Sequence, residues 1–236
     1  MAEEGLRSSL RWRRRKEARP AEILGAALAC FAERGFAATR LDDVAQRAGI
    51  TKGTLYLYFD NKEELFKAVV RQELLPNIER LEMVVAQSSE SAATLLELLI
   101  RSWAAIIATP ISAIPKIMVA EAGNFPELAR FYADEIVARG MSLFRRVVEA
   151  GIERGEFRSV DVDNAVRCIV APLIMAMLWR YSFGRHEPSD FAPDPLCQTH
   201  LQLLLGGLVN PESAATAPIT SPAISGGRRD QEHAAS

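Results

Sequence analysis

From residue 20 to about residue 209, apolar residues recur at intervals of three and four, and glycine, proline or short polar runs break the pattern. That period predicts amphipathic helices throughout. Ile23, Ala27 and Phe31 share a face with Leu24 and Leu28. Pro20 suits a first helical turn, and Gly35 a C-terminal stop, so the first helix is expected over Pro20–Arg34. Thr39-Arg40-Leu41-Asp42 has the form of a capping box opening a helix over Leu41–Ala48. Gly49 and Ile50 then leave a two-residue turn before Thr51, the next N-cap candidate.

The stretch KGTLYLYF, residues 52–59, alternates like a strand. Wound at 3.6 residues per turn from Thr51, it instead puts Leu55 and Phe59 on one face and Lys52 with Tyr56 on another. A helix over Lys52–Phe59 is expected, and two short helices joined by a tight glycine turn form a helix-turn-helix, spanning about residues 41–60. Asn61 caps the next helix, with Glu64 at the reciprocal position, and Pro76 is expected to kink or end it. Further helices are expected over 92–107, 115–122, 126–154, 161–183 and 192–208. The fold class is all-α. The expected divisions are a basic arm at 1–18, a small helical domain holding the helix-turn-helix at 19–66, a larger helical domain at 67–209, and a disordered Ala/Ser/Pro/Gly-rich tail at 210–236.

Charge sharpens the division. Residues 1–62 hold 12 Lys and Arg against 8 Asp and Glu, whereas the remainder is acidic. A basic N-terminal third suggests a polyanionic partner. The helix at 52–59 suits one: Gly53 permits close approach, and phenol hydroxyls and the Lys62 ammonium can donate to phosphates. The cysteines, Cys30, Cys168 and Cys197, have neither disulfide-framework nor zinc spacing and read as buried free thiols. No apolar stretch reaches the length of a membrane span, Cys168–Trp179 being the longest, and no secretory signal is expected. No Ser/His/Asp, Cys/His or phosphate-loop grouping accompanies His186, His200 and His233. An enzyme is therefore not expected, nor a metal or cofactor. A cytoplasmic protein with no membrane partner is. The remaining rival is a helical adaptor whose arginine-rich arm meets anionic lipid.

Phe36, Thr39, Val44-Ala45, Ala48-Gly49-Ile50-Thr51-Lys52-Gly53-Thr54-Leu55-Tyr56, Tyr58-Phe59, Asn61-Lys62 and Leu65 together closely resemble the TetR family of transcriptional regulators, over about residues 19–66. The resemblance implies a three-helix DNA-binding domain followed by a helical domain that binds an effector and forms a homodimer on a double-stranded DNA operator. It implies phosphate contacts for Thr39, Thr51, Tyr56, Tyr58 and Lys62, and groove contacts for Lys52, Gly53, Thr54 and Leu57. The slot some members fill with a base-reading arginine holds Asp42 here, with Arg40 a substitute and Arg11–Lys16 a further contact.

Helix 161–183 is apolar on two faces, one of them Val166, Ile169, Leu173 and Met177. With Leu201, Leu204 and Leu205 of the last helix these are the expected dimer residues. Trp103, Ile107, Met118, Phe131, Met175 and Trp179 are the expected walls of a pocket for a small apolar or aromatic effector.

Overall fold

The computed structural model describes residues 20–186 and 192–211. The expected arm, including Arg11–Lys16, lies outside the described residues, as does the expected tail from residue 212 onward. Among the described residues every regular element is helical, apart from an isolated bridge between Phe157 and Val209.

Helix α1 covers residues 20–34. It is followed by α2 (Leu41–Arg47), α3 (Lys52–Tyr56) and the 26-residue α4 (Lys62–Gln87). Next come α5 (Ala92–Ile107), a 3-10 turn at Pro110–Ser112, α6 (Ala113–Glu121) and α7 (Pro126–Tyr132). A π-helical turn, Ala133–Val137, joins α7 to α8 (Ala138–Glu153). The chain ends in α9 (Val162–Ser182), a 3-10 turn at Gly184–His186, and α10 (Pro193–Leu208).

Side chains cap the starts where the sequence marks them. The Thr51 hydroxyl, the Asn61 amide oxygen, the Ser91 hydroxyl and the Asp161 carboxylate each accept the N–H three residues on, satisfying a donor with no intrahelical partner. Gly35, Gly49 and Gly155 have positive φ, at +80°, +65° and +70°, and turn the chain after α1, α2 and α8. Thr39 departs from expectation. Its hydroxyl donates backward to the carbonyls of Gly35 (2.7 Å) and Cys30 (3.2 Å), and the residue is 1% exposed. The α2 N-cap is Arg40, whose N–H meets the Asp43 carboxylate. Pro76 lies inside α4 without ending it.

Among the described residues two apolar cores result. The first joins α1–α4 to α6 and α7: Ile23, Phe31, Val44, Leu55 and Phe66 pack in one cluster with Ile114, Ile117 and Leu128. Four aromatic rings bind it across the expected boundary at residue 66. Phe36 meets Phe31, Phe66 and Phe125 at 5.7, 5.4 and 4.8 Å between centroids, and such pairs contribute about 0.5–1.5 kcal/mol each beyond area burial. The second core lies among α5, α8, α9 and α10. Helix α4 runs from one to the other. Two forked ion pairs fasten it to the segment after α7: Arg71 to Glu135 (2.9 and 2.6 Å) and Arg139 to Glu82 (3.0 and 2.6 Å).

Helix α9 corrects two expectations. With 21 residues and a mean hydropathy of 1.5 in its most apolar window, it is long and apolar enough to cross a membrane, so the length argument from residues 168–179 does not hold. Yet Val166, Ile169, Leu173 and Met177 are buried in the chain's own second core and present no surface to a partner. The outward face carries Cys168, Ala171, Met175 and Trp179. Cys168 is exposed, against the expectation of three buried thiols; Cys30 and Cys197 are buried. Leu201, Leu204 and Leu205 lie half-buried against the same core, whereas Leu203 stands exposed.

Candidate nucleic-acid interface and effector cavity

The α2–α3 unit presents a polar, accessible face. In α3, Leu55 is fully buried and anchors the helix; Lys52, Gly53, Tyr56 and Leu57 are exposed, Leu57 at 83%. Thr51 and Thr54 hydroxyls pair at 2.9 Å, which holds Thr51 in its capping geometry. The helix is shorter than the expected Lys52–Phe59. At Leu57 and Tyr58, amide N–H groups reach carbonyls three residues back: Leu57 to Thr54 at 3.2 Å and Tyr58 to Leu55 at 3.0 Å. This tightening ends the helix before Asn61 opens the next. Tyr58 is thereby turned partly into the first core, while Tyr56 stays outward.

Lys52 and Asp42 form an exposed ion pair across the turn at 2.8 Å, and the hydrogen bond to Asp42 raises the lysine pKa. The acidic slot in α2 thus pairs with the one cation of α3. Arg40 is exposed with its side chain in no ion pair among the described residues. Gln46, which sequence reasoning did not single out, is exposed on α2. Its signal was available: four residues after Asp42, it shares that residue's helical face.

Lys62 is not on this face. Its ammonium donates to three carbonyls of the α1–α2 turn, Phe36 (2.8 Å), Ala37 (3.0 Å) and Thr39 (3.1 Å), and lies 4.6 Å from the Phe36 ring centroid. An ammonium has three donors, and all three are engaged. Burial pushes its pKa below the ordinary value, against the raising influence of Glu121 and Glu63. The expected phosphate donors Lys62 and Thr39 are therefore occupied in building the turn beneath the interface. Position Lys62 at the start of α4 made it look like an anion ligand; only the packing of α4 under α1 shows its carbonyl partners.

The same turn touches α6. Glu121, 9% exposed, accepts the Ala37 N–H at 3.2 Å with one carboxylate oxygen and the Asn124 amide at 3.2 Å with the other. Beside it Phe125 packs edge-on against Phe36.

Behind α6 lies a cavity of about 380 Å³ between the two cores. Met118 and Val119 of α6 and its C-cap Ala122 line it, opposite Asn77, Ile78 and Leu81 of α4, Trp103 and Ile106 of α5, and Ile174 and Met177 of α9. Tyr132 and the π-helical turn, through Ala133, Ile136 and Val137, form another wall; such turns are frequent at functional sites. Among the described residues that line it, none is charged. The volume falls within the range of roughly 300–1,000 Å³ typical of small-molecule sites.

Of the six expected pocket residues, Trp103 and Met118 line this cavity. Ile107 is buried in the second core. Phe131 packs in the first, under Lys67 and Arg71. Met175 and Trp179 lie on the outer face of α9 and, with Lys116, Val119 and Phe183, form a separate surface groove. His200 accepts or donates a 2.8 Å hydrogen bond with the Ile169 carbonyl, a structural tie between α9 and α10.

A helix-turn-helix on a short three-helix head, fused through one long helix to an all-helical body with a half-open cavity, defines a DNA-binding regulatory class of protein. Comparison with known proteins narrows it. The profile of bacterial regulatory proteins of the tetR family matches residues 23–69, and that of the tetracyclin repressor-like C-terminal domain matches residues 87–190. The HTH-type transcriptional repressor KstR2 of Rhodococcus jostii is 34% identical over 200 residues, 84% of this chain and 95% of that protein. The structure of the ketosteroid transcriptional regulator KstR2 of Mycobacterium tuberculosis is similar with a TM-score of 0.63 and 29% identity, covering 81% of this chain and 95% of that one. The FadR regulator of Bacillus subtilis, solved in complex with stearoyl-CoA, shares the fold at a TM-score of 0.67 and 23% identity, over 79% of this chain and 98% of its own. The chain belongs to the TetR family of transcriptional regulators.

Proposed function

We propose that the chain is a ligand-responsive transcriptional repressor that binds a palindromic operator as a homodimer and releases it when a compact, largely apolar effector occupies the cavity. The observation that carries this reading is the double engagement of α6. Met118, Val119 and Ala122 line the cavity, while Glu121 of the same helix holds the Ala37 N–H in the turn that supports α2. A ligand that favours one position of α6 thereby favours one placement of α2 and α3, and its differential affinity sets the shift in DNA binding. Repression as the direction is supported by the relatives named as repressors. An apolar effector is supported by the uncharged wall, and a compact one by the ketosteroid regulator among the relatives.

Dimerisation is proposed through the outer faces of α9 and α10, where Cys168, Met175, Trp179 and Leu203 are exposed together with small residues at Ala171, Gly206 and Gly207. A two-fold pair of these faces gives two recognition helices and so two half-sites. Tyr56 is the proposed phosphate contact of α3, with Thr51 and Tyr58 at its margins. Lys52, Gly53, Thr54 and Leu57 are the proposed groove contacts, and Arg40 a contact at the start of α2. An operator on DNA implies action in the bacterial cytoplasm.

Selection of duplexes from a random pool tests the proposal. An enriched palindrome is expected, with half-sites about one helical turn apart and affinity falling steeply with salt. Recovery of no enriched motif, or of one unsymmetrical site bound by a monomer, contradicts it.

A further inference from the structure

The cavity wall carries polar atoms whose bonding is incomplete. Tyr132 sits at the junction of α7 and the π-helical turn and lines the cavity, and its hydroxyl has no hydrogen-bond partner among the described residues. Burial raises its pKa well above the ordinary phenol value, so it stays a neutral O–H donor. The Trp103 indole N–H, also on the wall, is a second donor without an acceptor among the described residues. The Asn77 amide N–H donates to the Glu73 carbonyl at 3.2 Å. Facing these donors there is no cation: Arg71 and Arg139, the arginines nearest in sequence to the lining segments of α4 and α7–α8, are held in forks by Glu135 and Glu82.

Both side chains are half-buried, so these donors are reachable from the cavity, and a ligand that displaces water from them is favoured when it brings an acceptor. A buried carboxylate would need a counter-charge that the wall does not offer. A purely hydrocarbon ligand would leave the hydroxyl unsatisfied. We infer that the effector is an apolar molecule carrying a neutral carbonyl oxygen, ketone or ester, and that Tyr132 is the specificity-determining residue that donates to it. The π-helical turn Ala133–Val137 directly follows Tyr132 and also lines the cavity, and such turns are frequent at functional sites.

The inference rests on the cavity being the effector site, and the test separates the two. Nile red displacement is measured with three probes of equal chain length: methyl laurate (neutral ester), laurate (anion) and dodecane (no oxygen). The parent protein is expected to bind methyl laurate more tightly than either of the others. Tyr132→Phe keeps the ring and the packing, and should weaken methyl laurate about 3- to 10-fold, the loss of one hydrogen bond, while leaving dodecane unchanged. If laurate binds as tightly as its ester, or Tyr132→Phe leaves the ester's advantage over dodecane intact, the inference fails although the cavity remains a ligand site. If the parent binds Nile red and all three probes no better than a Met118→Trp variant with the cavity filled, the effector-site reading fails as well.

Discussion

Lys62 offers the clearest separation between a phosphate contact and a structural one. Lys62→Met keeps the aliphatic stem over Phe36 and removes the ammonium, leaving the carbonyls of Phe36, Ala37 and Thr39 without their donor. Hydrogen bonds to charged groups contribute about 1.5–3 kcal/mol each. Here the three share one ammonium, which is half-buried, and water can replace part of the loss. The cation–π contact with Phe36 adds about 0.5–1 kcal/mol. A net destabilisation of about 2–4 kcal/mol follows, read as a lower urea midpoint at constant slope. DNA affinity, measured where both proteins are folded, should keep the parent's salt dependence, because no phosphate contact has been removed. Tyr56→Phe is the counterpart: its hydroxyl is exposed, so stability should hold while affinity falls across operator sequences. If Lys62→Met left stability unchanged but lowered the slope of log affinity against log salt by about one, the ammonium would be a phosphate ligand and the turn would have another support.

Gly151 packs so closely that a β-carbon would strike the Phe157 ring and come within 2.8 Å of the Ala92 methyl; Gly151→Ala should cost about 1–3 kcal/mol by overpacking, seen in thermal unfolding. Hydrogen bonding from Arg139 and Arg71 holds the Glu82 and Glu135 carboxyls below their ordinary pKa. Below the unfolded-chain value, near about 4.3, the unfolded state binds more protons, so this stabilisation is complete above that pH and is lost as pH falls through the folded values. Arg139→Met and Arg71→Met should therefore flatten the acid limb of the stability curve. Glu121→Ala, which removes the acceptor for the Ala37 N–H, should reduce effector-driven release of DNA about 5- to 10-fold, whereas Glu121→Gln, which keeps a carbonyl acceptor, should retain it in the same anisotropy titration.

Local chemistry carried most of the fold into the sequence. Thr51, Asn61 and Asp161 announce helix starts, and Gly35, Gly49 and Gly155 announce ends, because capping and positive φ are properties of a few adjacent residues. What depends on tertiary placement was not legible. Both faces of α9 are apolar, and nothing in their composition says that Val166, Ile169, Leu173 and Met177 turn inward while Met175 and Trp179 turn outward. Size likewise fails to tell a cavity wall from solid core, which is why Ile107 and Phe131 were expected at the ligand and Tyr132 and Asn77 were not. An isolated tyrosine and asparagine at otherwise apolar helical positions were the available signal. The boundary expected at residue 66 falls inside α4, whose own side chains continue the first core to Leu74.

The measurement that bears most directly on the account is a pair of Nile red titrations, one on the free protein and one on the protein saturated with its selected operator. Linkage requires that a ligand which weakens DNA binding be weakened by DNA by the same factor, and couplings of this kind run to about 5- to 150-fold. The account predicts weaker Nile red binding on the operator complex, by the factor that saturating Nile red imposes on operator affinity. Equal affinity in the two titrations would mean that the cavity and the helix-turn-helix are not coupled, and would contradict the reading of α6 as the element that joins them.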